Sequence, residues 1–125
     1  MDSARYANTV SACCLEQDFK ELSHGDLTEV GERGVNLSGG QKARISLARA
    51  VYAQTDIVLL DDPVSALDVN VRKRIFENVF KGLLKGKTRV LCTHAIEFLQ
   101  LADKVIVMKG GRIAVQGTFS EVADN

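Results

Sequence analysis

No excess of charge of either sign marks this sequence: 16 basic residues balance 16 acidic ones over 125 positions. That balance argues against binding driven by bulk charge to nucleic acid or anionic lipid, so no nucleic-acid partner is expected. Long apolar runs are missing too. None approaches the roughly 20 residues that span a bilayer, so the chain by itself is expected to cross no membrane. The start, Met1-Asp2-Ser3-Ala4-Arg5-Tyr6, lacks the apolar stretch of a signal peptide. Tryptophan is absent and aromatics are few, yet the hydrophobic share, 46%, is ordinary for a globular core. Cysteines number three, Cys13, Cys14 and Cys92. The count is odd, no spacing resembles a zinc site, and adjacent cysteines are poorly placed for a mutual disulfide. Three reduced thiols in a cytosolic setting are expected. No repeat or low-complexity segment is present, and the length fits one domain.

What is there alternates between helical and extended patterns. Residues 4–19 predict a helix, with Tyr6, Val10, Cys13/Cys14 and Leu15 near one face. Residues 22–35 are polar and carry Gly25, Gly31 and Gly34, a loop with short turns. Residues 41–53 predict a helix with a stripe of Ala43, Leu47, Ala48, Val51 and Tyr52. Lys42, Arg44 and Arg49 fall mostly elsewhere around it. Ile57-Val58-Leu59-Leu60 is a continuous apolar run, which suits a strand buried on both faces of a parallel sheet. It ends in Asp61-Asp62-Pro63, where open parallel sheets place their ligands. Residues 71–84 predict a second helix, with Val71, Ile75, Val79 and Leu83 at four-residue steps and Phe76 and Phe80 beside them. Asp68 or Asn70 is its expected cap.

Thr88 to Cys92 predicts another strand, followed by Thr93-His94 and a short helix over 95–101. Residues 105–108 and 112–115 flank Gly110-Gly111, the pattern of a hairpin with a two-residue turn. Thr118 and Glu121 have capping-box spacing and open a last helix. The order predicts an α/β fold with a parallel sheet, and the part up to about Val35 a separate helical lobe.

The sharpest local feature is Asn36-Leu37-Ser38-Gly39-Gly40-Gln41-Lys42. Glycines admit close approach of the backbone to a ligand. The start of a helix offers unpaired N–H groups and positive dipole, and Ser38 adds a hydroxyl. Together they make a phosphate site. Taken alone, a Ser-Gly-Gly turn is more often a plain helix cap.

The order of motifs decides between these. Leu37-Ser38-Gly39-Gly40-Gln41 opens a helix; about twenty residues later an apolar strand ends in Asp61-Asp62; Ser65-Ala66-Leu67-Asp68 follows; a further strand ends in Thr93-His94. This arrangement resembles the nucleotide-binding domains of the ATP-binding-cassette family over essentially the whole chain. The lead-in Gly31-Glu32-Arg33-Gly34-Val35-Asn36, together with Asp62, resembles subfamily C, the multidrug-resistance type, and the first of its two nucleotide-binding domains.

The resemblance implies a partial P-loop NTPase-like parallel sheet with flanking helices, preceded by part of the helical signature subdomain. The implied boundaries are about 1–53 for the helical part and about 54–125 for the C-terminal half of the catalytic core. It implies ATP and Mg²⁺ as cofactors. It also implies a second nucleotide-binding domain as partner in an ATP sandwich and transmembrane domains elsewhere in the parent. The location implied is the cytosolic face of a membrane.

Residue by residue, Ser38, Gly39, Gly40 and Gln41 match the signature, which in the family contacts the γ-phosphate of ATP held by the partner domain. Asp61 matches the carboxylate that holds Mg²⁺ largely through water. Asp62 stands where the family carries its catalytic base, but the usual residue there is Glu. The shorter side chain falls short by roughly 1 Å, a displacement that can cost about 100-fold in rate, so a degenerate site is expected. His94 matches the switch histidine, a second catalytic residue. Ser65, Ala66, Leu67 and Asp68 match the D-loop. His24 has no such context.

One family element is missing. The pattern G-x-x-x-x-G-K-[ST] does not occur. Gly82-Leu83-Leu84-Lys85-Gly86-Lys87-Thr88 has one residue too few between its glycines and lies between a helix and a strand, the reverse of the required order. The chain therefore reads as the C-terminal portion of a nucleotide-binding domain that begins inside the helical lobe. Alone it is expected to bind ATP weakly, to be inactive as an ATPase, and to expose apolar strand edges. The expected function is part of the ATPase of a membrane exporter. The alternatives are a soluble, non-transport cassette ATPase and a truncated, non-catalytic regulatory fragment.

Overall fold

A computed structural model describes residues 2–32 and 35–124. Met1, Asn125 and two residues of the predicted lead-in, Arg33 and Gly34, lie outside the described residues. The fold is mixed helix and strand and divides into two units, one ending at Thr93 and one beginning at His94.

The first unit starts with α1 (Ser3–Ala12), capped by the Asp2 carboxylate, which accepts from the Arg5 N–H. A second helix, α2 (Glu16–Glu21), follows. The single helix predicted over 4–19 is thus two. Cys14 has φ +56 between them, and Cys13 and Leu15 are both fully buried. In an unbroken helix residues two apart point to opposite sides. Breaking the chain at Cys14 lets both side chains enter the same core. Past a single 3₁₀ turn at Gly25–Leu27 and an isolated bridge between Val30 and Val35, α3 runs from Gly39 to Tyr52 with Leu47 and Val51 buried.

Strand β1 (Ile57–Asp61) pairs in parallel with β2 (Thr88–Cys92), Asp61 opposite Cys92. The crossover between them is α4 (Val69–Ile75), which continues as a π-helical segment over Phe76–Leu83. Its wider turns shift the predicted stripe. Ile75 and Val79 are fully buried as expected, but the stripe then continues at Leu84 in place of Leu83, which is exposed. The Leu84 N–H donates to Val79 O at 2.8 Å, a five-residue step.

β1 is not buried on both faces. Val58 and Leu60 are 4% and 7% exposed, while Ile57 and Leu59 are 60% and 73% exposed. The helices of this unit cover one face of the two-stranded sheet, so the second apolar face of the run lies bare. Val90 on β2 is also exposed.

The second unit contains a 3₁₀ helix (Ile96–Leu101), then β3 (Val105–Lys109) and β4 (Arg112–Gly117), paired antiparallel, and α5 (Phe119–Ala123). Gly110 and Gly111 turn the hairpin at φ +56 and +72, the positive values that a two-residue I′ turn requires. A register shift after Val107 pairs Met108 with Ile113. Thr118 and Glu121 form the predicted capping box. No helix of the described residues is long and apolar enough to cross a membrane.

Candidate functional site

Ser38 is the N-cap of α3, with extended backbone at φ −64 and ψ 161. Its Oγ accepts from the Gln41 N–H at 3.1 Å, and the Gln41 side-chain Oε1 accepts from the Ser38 N–H at 2.9 Å. The Lys42 N–H donates to Ser38 O at 3.0 Å. This reciprocal cap takes up the donors at positions 38, 41 and 42. It leaves the N–H groups of Gly39 and Gly40 without a partner among the described residues. The free donors therefore fall on the two glycines, where no side chain hinders approach, and the Ser38 hydroxyl proton is also free to donate.

The glycines serve a second purpose. A Cβ at Gly40 would stand 3.2 Å from Ala66 O and 3.5 Å from Leu67 Cδ2; at Gly39 it would stand 3.8 Å from Ala66 Cβ. The start of α3 thus packs directly on the 65–68 loop. Two segments singled out separately in the sequence are brought together.

That loop is built outward from the end of β1. Asp62 leaves the strand at φ +46, a left-handed conformation that Asp tolerates better than most side chains. Its N–H donates to Cys92 O at 2.8 Å, continuing the parallel ladder by one residue. Its own carbonyl accepts from Ser65 N at 3.4 Å and Ser65 Oγ at 3.1 Å. Buried Val64 and Leu67 anchor the loop to the core. Asp68 closes it as the N-cap of α4, its Oδ1 accepting from the N–H groups of Asn70 and Val71 at 3.0 and 3.1 Å. Asp61 is exposed and, by the alternation of the strand, shares the bare face with Ile57 and Leu59. His94 is exposed and belongs to the second unit.

Among the described residues no group of three or more His, Cys, Asp or Glu side chains is placed to hold a metal ion. Mg²⁺ does not require one: it keeps much of its water shell and takes one or two carboxylates together with substrate phosphates. An exposed carboxylate at a strand end, such as Asp61, fits that mode of binding.

A cluster that the sequence did not disclose supports α3 from behind. The Asp18 carboxylate on α2 accepts from Gln41 Nε2 at 3.0 Å and from Arg44 Nη2 at 3.1 Å; Arg44 Nη1 also donates to Asp18 Oδ2 and to Cys14 O. Both side chains of the pair are 14% exposed. Arg44 was expected away from the apolar stripe, and instead turns inward to this carboxylate. Burial pulls the Asp18 acid upward, but the hydrogen bonds from Arg44 and Gln41 outweigh it and hold the carboxyl below its ordinary value. The only sequence signal was the spacing of Gln41 and Arg44, three residues apart on one helix face.

The nearby thiols are inert by comparison. Burial pushes Cys13 up to about 12, and also raises Cys14 against the opposing pull of Arg74 and Arg44. A cavity of about 270 Å³, bordered by Arg5, Asn8, Gln54 and Lys87, lies toward the other end of α3. Ser38 and Gly39 are exposed and Gly40 is half-buried, so the Ser38–Gly40 segment forms an open ledge.

Comparison with known proteins gives a concordant result. The ABC transporter family model matches residues 6–65. ABC transporter C family member 8 of Dictyostelium discoideum is 50% identical over 99% of the chain. Putative ABC transporter C family member 15 of Arabidopsis thaliana and multidrug resistance protein mrp-7 of Caenorhabditis elegans are each 52% identical over 97% of it. The chain spans 8%, 12% and 8% of the lengths of these three relatives, respectively.

Proposed function

The chain belongs to the ABC transporter family, with C family members among its relatives, and from that premise we propose that it forms part of the ATP-binding and ATP-hydrolysing domain of a membrane exporter. Residues of about 1–53 would form the helical signature part, and those of about 54–125 the C-terminal half of a P-loop-type core. The domain would lie on the cytosolic face of the membrane and couple ATP to movement of a substrate through transmembrane domains of the same parent. Relatives named as C family transporters and as a multidrug resistance protein favour this reading over a soluble cassette ATPase.

One observation carries the proposal. The free N–H groups of Gly39 and Gly40, with the Ser38 hydroxyl, sit at the start of a 14-residue helix on an open ledge against Ala66. Donors in that arrangement suit an anionic phosphate. An open ledge suits a phosphate presented by a second nucleotide-binding domain, because no pocket is needed to hold the nucleotide on this side. Gln41 holds the cap, Ala66 and Leu67 back the glycines, and the loop of Ser65, Ala66, Leu67 and Asp68 would meet the same partner. Asp61 and Asp62 would belong to the opposite site, where Asp61 would hold Mg²⁺ through water and Asp62 would act on the attacking water. For His94, in the second unit, the role of switch histidine rests on the family resemblance alone. Mg²⁺, when bound, neutralises charge on the β- and γ-phosphates. The short Asp62 makes that site a poor hydrolytic one. The 125-residue chain alone is expected to show no ATP turnover, since no phosphate loop grips the nucleotide.

The test is Gly39→Asp in the full-length protein. Position 39 has room for a Cβ, and the variant adds a negative charge beside the open N–H donors. ATP turnover is expected to fall by about 100-fold, the scale of removing one preorganised anion donor, while thermal stability is retained. Wild-type turnover would refute the phosphate contact.

A further inference from the structure

We propose that Asp18 is a positioning residue that sets which donors the Ser38–Gly40 ledge presents. The inference rests on the reading that this ledge faces a phosphate, and it adds a residue from another helix to that site. The Gln41 side chain is the intermediary. Its amide has two ends of opposite character, and each end has one partner: Asp18 on one side and the Ser38 N–H on the other. An ionised carboxylate only accepts and a backbone N–H only donates. Asp18 therefore takes the NH₂ end and turns Oε1 toward Ser38. The reverse orientation would set two acceptors against each other and two donors against each other. With Asp18 in place, the Ser38 N–H is withdrawn from the ledge, and the open donors are confined to Gly39, Gly40 and the Ser38 hydroxyl.

Arg44 makes this arrangement rigid. Its guanidinium bridges both oxygens of Asp18 and also binds the carbonyl of Cys14, at the break between α1 and α2. The fork geometry of Arg fixes the carboxylate in angle as well as in distance. α2 and the first turn of α3 are thereby held as one body. A displacement of α2 is transmitted to the ledge through Gln41, with no bond to the phosphate itself.

Hydrogen exchange of the full-length protein without nucleotide, resolved to single residues by electron-transfer fragmentation, tests this. In Asp18→Ala the Ser38 amide is expected to exchange about tenfold faster, the scale of one lost hydrogen bond. The Lys42 amide, which bonds to Ser38 O within the same turn, is expected to stay unchanged. Asp18→Asn retains an acceptor oxygen for Gln41 and is expected to keep most of the protection. Asp18→Leu, of similar size and without an acceptor, carries the same expectations as the alanine variant if that variant does not fold.

Unchanged Ser38 exchange in the acceptor-free variant overturns the proposal. A joint rise at Ser38 and Lys42 does so as well, because it reports fraying of the helix start. Equal exchange in the Asn and Ala variants also overturns it. None of these outcomes depends on ATP. Should the Gly39→Asp enzyme keep its turnover while exchange behaves as expected, the phosphate contact fails and the positioning by Asp18 stands.

Discussion

Gly40 lies against the carbonyl of Ala66, and a Cβ at position 40 would stand 3.2 Å from that oxygen. One residue earlier, at Gly39, the nearest approach is an ordinary 3.8 Å. Two adjacent glycines in the same first turn therefore answer differently to the same substitution. Alanine in place of glycine within a helix gains about 1 kcal/mol from propensity. At position 39 nothing opposes that gain, so Gly39→Ala is expected to leave stability level or slightly raised. At position 40 the obstacle is backbone in a loop anchored by buried Val64 and Leu67, which cannot rotate away. Overpacking of this kind costs about 1–3 kcal/mol, so Gly40→Ala is expected to be destabilising on balance. Chemical denaturation of the two variants side by side checks the contrast.

The Asp18 pair predicts an acid limit on stability. The Asp18 carboxyl titrates below its ordinary value in the folded chain. A group with a lowered folded pKa contributes stability above its unfolded pKa, and the contribution is lost as pH falls through the folded one. Wild-type protein is therefore expected to exceed Asp18→Asn in stability at neutral pH. The gap should close as pH drops from the usual aspartate range toward the lower folded value. Denaturation midpoints of both proteins across acid pH give the measurement. A gap that stays constant with pH removes the Asp18 charge from the explanation.

Much of this architecture was legible in the sequence because it depends on local chemistry. The helix over 41–53, both parallel strands, the Gly110-Gly111 hairpin and the Thr118–Glu121 cap follow from period, turn residues and capping spacing, which neighbours in sequence determine. The elements that differed depend on partners distant in sequence. Cys13 and Leu15 break a helix because the core takes both. Leu84 replaces Leu83 because the crossover helix widens to i→i+5 bonding before β2. At the site, the glycines and their cap could be read from residues 36–42 alone, whereas their contact with Ala66 and the hold of Asp18 on Gln41 join positions more than 20 apart.

The bare face of β1 separates two neighbouring leucines. Leu60 is buried and Leu59 is 73% exposed. Leu60→Ala is expected to cost about 2–5 kcal/mol, the range for truncating a core leucine. Leu59→Lys in the 125-residue chain removes no core contact and interrupts an apolar surface, so it is expected to leave the unfolding midpoint nearly unchanged and to reduce self-association. Light scattering against concentration, together with the midpoints, distinguishes these expectations. Scattering equal to that of the wild type would mean that this face does not drive association.

Asp62 offers the most direct probe of the proposed hydrolytic site. Its backbone sits at φ +46, a region that Asp enters more readily than Glu. In the proposed reading, the position is that of the family's usual glutamate. The two facts set opposing expectations for Asp62→Glu in the full-length protein. The longer side chain returns a carboxylate by roughly 1 Å toward the attacking water, and restoring such a displacement is worth up to about 100-fold in rate. The left-handed backbone charges the new side chain up to about 1–2 kcal/mol. Faster ATP turnover with a lower melting temperature is therefore expected together. A lower melting temperature with unchanged turnover would leave Asp62 a turn residue and remove it from the catalytic assignment. Asp62→Asn completes the comparison: it keeps the length and the tolerance for positive φ while losing the base, so it should retain stability and lower whatever turnover the site has.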